Sequence, residues 1–327
     1  MNVFIFAAMG QEILVTGAAG FIGSHLCESL LEQGHTVYGI DNFDPFYDRR
    51  IKERNLESFR NHERFGFFEL DLTQAEKLQR IPAFDMVVHL AGKAGVRPSI
   101  DAPQDYIDAN ITATLNVLEL CRAKGCTKMA FASSSSIYGN SKHIPFVEEG
   151  VEYEPISPYA FSKRSCELMN YTFHHLYQID ILNLRFFTVY GPRQRPDLAI
   201  HKFTRLLSDG KSIPMFGDGS TSRDYTFVAD TVAGINGAMD YLRENSDVFE
   251  TVNLGNNQPV KLTDLISSIG NALDVEPKID KQPMQPGDVD ITYASIEKAK
   301  KLFGYNPKTT IADGLEKFVE WYQKVNE

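Results

Sequence analysis

A tyrosine and a lysine four residues apart form the first reactive pair in this sequence. Tyr159 and Lys163 stand at i and i+4, so a helix would place both side chains on one face. A free tyrosine, with a pKa near ~10, is a poor base at neutral pH, but a neighbouring ammonium group favours the phenolate. The spacing therefore predicts Tyr159 as a general base, although many Tyr-x-x-x-Lys pairs arise by chance.

Two further features strengthen this prediction. A run of serines, Ser133–Ser136, follows a short apolar segment typical of a buried strand. A glycine motif, Gly17-Ala-Ala-Gly20-Phe21-Ile22-Gly23, follows the first apolar segment of the chain and precedes a helical pattern. This spacing permits a tight turn, brings the backbone close to a pyrophosphate and directs a positive helix end at it. The alternative is a glycine turn that binds no nucleotide.

An acid at the end of the second predicted strand completes the pattern. Asp41 and its neighbour Asn42 are assigned to the cofactor, because a carboxylate here can hydrogen-bond a ribose diol. The same charge would repel a 2′-phosphate, so NAD is favoured over NADP. Three basic residues farther along this loop, Arg49, Arg50 and Lys52, are not expected to contribute.

Two other strand ends are candidates for the same cleft. Asp71 and Leu72 follow the third predicted strand and are expected near the adenine. The segment Leu90-Ala91-Gly92-Lys93 follows the fourth and is expected under the pyrophosphate and the nicotinamide ribose. Each segment, taken alone, is also compatible with an ordinary strand end.

The elements that must position these residues are visible in the hydrophobic pattern. Short apolar runs alternate with amphipathic stretches over the first half, which predicts a doubly wound parallel (Rossmann) sheet with a helix layer on each side. The predicted strands cover residues 12–16, 36–40, 65–70, 86–90, 129–133 and 180–184, and the predicted helices include residues 21–33, 105–124 and 159–177.

The composition and the hydrophobic pattern of the chain change after about residue 186. Glycine, proline and charge become frequent and strand signals become rare, except for residues 250–254, which are predicted to return to the sheet. We therefore assign residues 1–185, with 226–254, to a dinucleotide-binding domain. Residues 186–225 and 255–327 are assigned to a smaller C-terminal substrate lobe, which ends in an amphipathic helix over residues 311–323.

Composition excludes several classes of function. The net charge of −10 and the absence of a long basic run argue against binding to nucleic acid or to anionic membranes. The apolar opening at residues 3–8 is too short to span a membrane. The 4 cysteines form no Cys-x-x-Cys pair and no metal-ligand spacing, so we expect buried free thiols, no metal site and a reducing cytoplasm.

These motifs together resemble the extended short-chain dehydrogenase/reductase family over nearly the whole chain, and within it the nucleotide-sugar 4-epimerases and decarboxylases. The resemblance implies a catalytic triad of Ser134, Tyr159 and Lys163, with Ser134 and Tyr159 on the sugar hydroxyl and Lys163 on the nicotinamide ribose. It further implies that Asn110 supports the active-site lysine through water, although a surface amide is equally compatible with the sequence. Relatives usually form homodimers through the fourth and sixth helices.

Segments of the second half resemble UDP-glucuronate 4-epimerases in particular. They are residues 185–196, 216–225 and 284–289, together with residues 41–48 in the first half. The family pattern implies that Arg223 binds the UDP diphosphate, Asp288 the uridine ribose and Phe216 the uracil. A guanidinium group suits a diphosphate chemically, because its fork matches two phosphate oxygens.

Differences from related families narrow the choice of reaction that this chain could catalyse. Galactose-type 4-epimerases have arginine where this chain has Gln285, and asparagine where it has Thr188. Glucuronate decarboxylases have glutamate at the place of Ser136, and 4,6-dehydratases have an acidic pair at Ser135 and Ser136. The missing acids argue against decarboxylase and dehydratase, since both reactions use an extra acid–base group.

The resemblance therefore implies NAD-dependent inversion of C4 in UDP-glucuronate through a transient 4-keto sugar. UDP-glucose, UDP-galactose and UDP-N-acetylhexosamines are alternative substrates, and a non-catalytic dinucleotide-binding regulator is an alternative of another class. A 4-keto uronate is a β-keto acid, so its carboxylate must be held against loss of carbon dioxide. Ser136, Thr188 and Arg195 are the candidates for that contact, with Arg97 next; turn caps and a surface charge are the alternative interpretation.

Overall fold

The computed structural model describes residues 10–150, 154–283 and 291–326. The apolar opening at residues 3–8 and the candidate Asp288, with the whole of its motif at residues 284–289, therefore lie outside the described residues. None of the helices in the described part of the chain is long and apolar enough to cross a membrane.

The centre of the molecule is a parallel sheet of seven strands. Their spatial order is β10-β6-β5-β4-β1-β2-β3, and every neighbouring pair runs parallel. These strands are β1 Glu12–Thr16, β2 Thr36–Asp41, β3 Phe65–Glu69, β4 Met86–His89, β5 Lys128–Ser134, β6 Asp180–Phe186 and β10 Phe249–Leu254. The predicted fold class is confirmed, and the late strand β10 pairs with β6.

Helices cover both faces of this sheet. The α-helices of the described residues, on this sheet and in the second half of the chain, are α1 Phe21–Glu32, α2 Arg49–Leu56, α3 Ala75–Leu78, α4 Val96–Asp101, α5 Pro103–Tyr106, α6 Ala113–Lys124, α7 Pro158–Tyr177, α8 Ala199–Ser208, α9 Val228–Glu244, α10 Leu262–Leu273, α11 Glu297–Phe303 and α12 Ile311–Asn326. Alternate strand residues face two separate cores: Ile13 and Val15 pack in the core that includes α1 and α9, and Leu14 packs in the core that includes α6 and α7.

The helix predicted over residues 105–124 is not continuous. A π-helical segment, Ile107–Thr112, lies between α5 and α6, and its one buried residue is Asn110. π-Helical turns are frequent at functional sites, because the extra residue re-aims a side chain. Hydrophobic periodicity cannot distinguish this segment from ordinary helix.

The second half contains more strands than the sequence predicted. Strands β7 Thr188–Tyr190, β9 Ser222–Phe227 and β11 Pro259–Lys261 form one small sheet, and β8 Ile213–Phe216 and β12 Ile279–Gln282 form another. These strands are only 3 to 6 residues long, Pro214 and Pro259 lie in β8 and β11, and β11 and β12 are mostly exposed, so they give a weaker sequence signal than the apolar runs of the central sheet. The prediction that strands become rare after residue 186 was wrong.

Candidate active site

A cavity of about 750 Å³ opens at the carboxyl ends of the central strands, where parallel α/β folds bind ligands. Its walls come from the loops after β1, β2, β3, β4 and β5, from α7 and from the segment that follows β6. The residues predicted as cofactor, catalytic or substrate residues that line this cavity are Gly17, Gly20, Phe21, Ile22, Gly23, Asp41, Asn42, Asp71, Leu72, Leu90, Ala91, Gly92, Lys93, Ser134, Ser135, Ser136, Tyr159, Lys163, Thr188 and Arg195.

The glycine turn forms one end of the cavity. Gly17 adopts a left-handed conformation with φ 72°, and its N–H donates to the carbonyl of Ile40 at 2.7 Å. A Cβ on Gly23 would collide with the carbonyl of Gly17, so helix α1 begins directly against the turn. Gly20 caps α1 with no side chain of its own. The turn therefore leaves room beside a positive helix end, which suits a pyrophosphate.

Asp41 lies at the end of β2, beside this turn. Its carboxylate accepts hydrogen bonds from the N–H of Phe43 at 2.8 Å and of Ala19 at 3.2 Å. Lys52 Nζ lies 3.6 Å from Asp41 Oδ1, and both side chains are buried. Burial raises the pKa of Asp41, while Lys52 and the two N–H groups act in the opposite direction. The expectation that Lys52 would lie away from this site was wrong, because α2 turns it inward.

A buried chain of hydrogen bonds holds the cavity-lining residues Leu90 and Ala91. Thr16 Oγ1 accepts from the N–H groups of Leu90 and Ala91, each at 3.1 Å, and bonds His89 Nδ1 at 2.6 Å. His89 Nε2 bonds Thr114 Oγ1 at 3.1 Å, and Thr114 donates to a π-helix carbonyl. Burial lowers the pKa of His89 to about 3, so its ring is neutral. These bonds fix the loop after β4 against β1.

Asn110 lies behind the cavity wall. Its Oδ1 accepts from the Lys93 N–H at 2.8 Å, and its Nδ2 donates to the Lys93 carbonyl at 3.1 Å and to Ser162 Oγ at 2.8 Å. The side chain thus joins the β4 loop to α7. It is buried, so the alternative of a surface amide was wrong. Its predicted support of Lys163 through water stays a prediction.

Tyr159 and Ser134 meet at the middle of the cavity. Burial raises the pKa of Tyr159, whereas a hydrogen bond with Ser134 and the positive charge of Arg195 lower it. Lys163 Nζ donates to the carbonyl of Ala132 at 2.8 Å, and burial lowers its pKa. The positive charge of Arg195 therefore acts on Tyr159, and the predicted effect of Lys163 on Tyr159 stays a prediction.

The other end of the cavity carries hydroxyls and a guanidinium group. Ser136, Thr188 and Arg195 line it, and Ser134 Oγ bonds Ser136 Oγ at 3.1 Å. Arg195 forms two hydrogen bonds with Asp197, at 2.8 and 3.0 Å, and its side chain is only 18% exposed. Arg195 is therefore not the solvated surface charge that the alternative interpretation required.

A long-range ion pair holds the segment that carries Arg195. Arg193, in a left-handed conformation with φ 66°, donates two hydrogen bonds of 2.8 Å to Glu28 of α1. His25, one turn earlier on α1, bonds the carbonyl of Pro192 at 2.9 Å. Burial raises the pKa of Glu28, but hydrogen bonds from Arg193 and Ser58 outweigh it. Sequence analysis missed this anchor, because its members are far apart in the chain and match no motif.

Three predicted substrate residues within the described part of the chain, Arg97, Phe216 and Arg223, do not line the cavity. Arg97, in α4, stacks its guanidinium group 6.0 Å from the ring centroid of Phe216, so these two lie together. Arg223 lies in β9, where one guanidinium nitrogen donates to the carbonyl of Ser222 at 2.9 Å. The structure therefore groups most of the predicted site, and leaves Arg97, Phe216 and Arg223 outside the cavity lining.

This fold and cavity define an α/β protein of the Rossmann type with a cavity at the carboxyl ends of its parallel strands. The family model described as "GDP-mannose 4,6 dehydratase" matches residues 14–318. The chain is 39% identical over 312 residues to the UDP-glucuronate 4-epimerase of Thermodesulfobacterium geofontis, with 94% of this chain and 95% of that protein covered.

Solved structures agree with this match. A UDP-glucuronic acid 4-epimerase from Bacillus cereus, crystallised with UDP-glucuronic acid and NAD, superposes with a TM-score of 0.89 at 35% identity, covering 96% of this chain and 99% of that one. A UDP-glucose 4-epimerase from Thermotoga maritima superposes with a TM-score of 0.87 at 31% identity, covering 97% of this chain and 100% of that one. The chain belongs to this family, that of the extended short-chain dehydrogenase/reductases.

Proposed function

We propose that this protein is a UDP-sugar 4-epimerase that uses NAD and inverts C4 of UDP-glucuronate to give UDP-galacturonate. The observation that carries the proposal is the placement of Tyr159, Ser134 and Arg195 in one cavity whose far end holds the glycine turn and Asp41. The similarity to UDP-glucuronate 4-epimerases supports the acidic substrate, and a related crystal structure that contains NAD supports the cofactor.

The residues at the glycine end fit a dinucleotide. The turn leaves backbone and a helix end free for a pyrophosphate, and the Asp41 carboxylate is suited to the adenosine ribose. Lys163 would bind the nicotinamide ribose, and Asp71 and Leu72 would contact the adenine. The loop after β4 would lie under the pyrophosphate and the nicotinamide ribose. NAD, when bound, supplies a reversible hydride acceptor for C4 of the sugar.

Tyr159 is the proposed base. As phenolate it takes the proton of the C4 hydroxyl, while Ser134 holds the same oxygen by a hydrogen bond. Loss of this proton together with the C4 hydride, which bound NAD would accept, would give a 4-keto sugar. That sugar would turn about its diphosphate link and present its other face, and Tyr159 would return the proton as the hydride returned to C4. Because oxidation and reduction occur within one cycle, the reaction has no net redox change.

The choice of UDP-glucuronate depends on the opposite end of the cavity. The 4-keto uronate loses carbon dioxide most readily when its carboxylate bond lies parallel to the carbonyl π system. Ser136, Thr188 and Arg195 are proposed to hold the carboxylate away from that alignment by directional hydrogen bonds and opposite charge. Asp197 occupies two guanidinium nitrogens of Arg195 and thereby orients the third, Nη1.

A neutral UDP-hexose or UDP-N-acetylhexosamine is the second candidate substrate, favoured by the similarity to a UDP-glucose 4-epimerase. A decarboxylase is a weaker alternative. Among the described cavity residues, those of the β5 loop and of the segment from Phe186 to Leu198 include no carboxylate that would serve as an extra acid. A buried guanidinium group beside Tyr159 favours the acidic sugar.

We also propose that different parts of the chain bind the cofactor and the UDP part of the substrate. Residues 1–185, with 226–254, would hold the cofactor. Residues 186–225 and 255–327, which include Phe216, Arg223 and Asp288, would hold the UDP part.

A homodimer is proposed through α6 and α7, where Phe161, Leu168 and Tyr171 are each more than half exposed. The four free cysteines are consistent with the proposed cytoplasmic location.

Two variants test the carboxylate contact. Thr188→Val and Arg195→Ala should lower C4 inversion and raise release of carbon dioxide and UDP-pentose from UDP-glucuronate, measured by product separation. Lys211→Ala, which removes an exposed cation paired with Asp209, is the matched control and should leave product ratios unchanged. If both active-site variants epimerise UDP-glucuronate normally without pentose release, the carboxylate is held elsewhere, with Arg97 as the next candidate.

A further inference from the structure

Lys52 is a buried cation at the ribose end of the cavity. Lys52 is only 6% exposed and lines the cavity together with Asp41. Its Nζ lies 3.6 Å from Asp41 Oδ1. The ring of Tyr47 lies below it, with Nζ 4.9 Å from the centroid. The ammonium group is therefore held beside the carboxylate, with little freedom to move into solvent.

The other basic residues of this segment do not share that position. Arg49 forms hydrogen bonds with Glu53 and Glu69, at 2.7 to 2.8 Å, and all three side chains are exposed. Arg50 bonds Asp48, also at the surface. Helix α2 thus directs two guanidinium groups outward and one ammonium group inward, toward the place where a ribose diol would meet Asp41.

We propose that Lys52 is a specificity-determining residue that gives this site a latent capacity for a 2′-phosphorylated dinucleotide, which the charge of Asp41 suppresses. This inference rests on the proposed dinucleotide site. A 2′-phosphate placed at the ribose diol meets a carboxylate and an ammonium group together. The carboxylate repels it, and the ammonium group is already engaged by that carboxylate.

Removing the charge of Asp41 changes this balance in one step. Lys52 then becomes a buried cation without its carboxylate partner, which is costly unless an anion replaces it. A 2′-phosphate is such an anion and carries up to two charges. Many sites need a new basic residue to accept NADP, whereas this site already contains one and needs only the loss of an acid.

The test measures binding without turnover. Protein stripped of nucleotide is titrated with NADH and with NADPH, and the fluorescence of the reduced nicotinamide gives each dissociation constant. Wild-type protein should prefer NADH. Asp41→Asn should shift the NADPH-to-NADH affinity ratio by at least about tenfold toward NADPH. Asp41→Asn combined with Lys52→Met should lose that shift.

Glu69→Gln is the matched control. Glu69 is paired in register with Asp41 on the neighbouring strand, is exposed and does not line the cavity, yet the substitution changes net charge equally. Its affinity ratio should equal that of wild type. An unchanged ratio in Asp41→Asn, or the same gain in the double variant, would overturn the role of Lys52.

Two further results distinguish failure of the proposed function from failure of the inference about Lys52. If wild-type protein binds neither dinucleotide, the proposed function itself fails. If Asp41→Asn does not fold, because Asp41 accepts two backbone N–H bonds, Lys52→Met in the wild-type background decides the question. It should weaken NADPH binding at least about tenfold more than NADH binding, and equal weakening of both would refute the inference.

Discussion

The two ends of the cavity are built in different ways. The glycine end consists of strand ends that lie side by side, fixed by backbone hydrogen bonds and by the buried Thr16–His89–Thr114 chain. The proposed carboxylate end depends on the segment around Arg195, which the long-range ion pair of Arg193 with Glu28 joins to α1 and within which Arg195 bonds Asp197. Local backbone geometry is thus expected to control cofactor retention, while this one long-range ion pair is expected to affect what happens to the sugar.

Tyr159 lies between the two ends, and its loss should have the largest effect. Tyr159→Phe removes the proposed general base but keeps the ring, so turnover should fall by at least ~10²-fold. UDP-sugar and dinucleotide binding, measured by calorimetry, should be nearly unchanged. Near wild-type turnover would mean that another group is the base.

The glycine end should respond to a single methyl group. Gly23→Ala places a Cβ against the Gly17 carbonyl and should displace the start of α1. We expect at least about a tenfold loss of bound dinucleotide in purified protein, together with about 1–3 kcal/mol lower stability. Gly210→Ala, at a glycine with a left-handed backbone but open space around it, is the control for stability. Dinucleotide released on denaturation gives the measurement.

The pH profile tests the influence of Ser134 on the pKa of Tyr159. Both lower the pKa of Tyr159, and burial raises it, so activity should rise with pH as the phenolate forms. Ser134→Ala removes one lowering influence, so its profile should move to higher pH, with a partial recovery of rate in alkaline buffer. A profile that falls in amplitude without moving would show that Ser134 does not act on this ionisation.

The anchor on α1 should have the smallest effect. Glu28→Gln keeps the shape but weakens both bonds to Arg193, so KM for UDP-glucuronate should rise a few-fold. KM for a neutral UDP-hexose and dinucleotide retention should change less. Equal rises in KM for acidic and neutral sugars would indicate general damage to the second lobe.

The sequence predicted the features whose signals are local. The central strands, the glycine turn, Asp41 at the end of β2 and the Tyr159–Lys163 face of α7 all come from motifs or hydrophobic runs within a few residues. The inward turn of Lys52, the π-helical segment around Asn110 and the Glu28–Arg193 pair depend on tertiary packing. The short strands of the second half form through pairing with neighbours, so their sequences carry little pattern of their own.

The most direct test of the account is incubation of the purified protein with UDP-glucuronate, followed by separation and identification of the products. We predict UDP-galacturonate, the same final mixture when the reaction starts from UDP-galacturonate, and no UDP-pentose or carbon dioxide. UDP-glucose and UDP-N-acetylglucosamine should react much more slowly. UDP-pentose as the main product, or preferential epimerisation of a neutral sugar, would contradict the account.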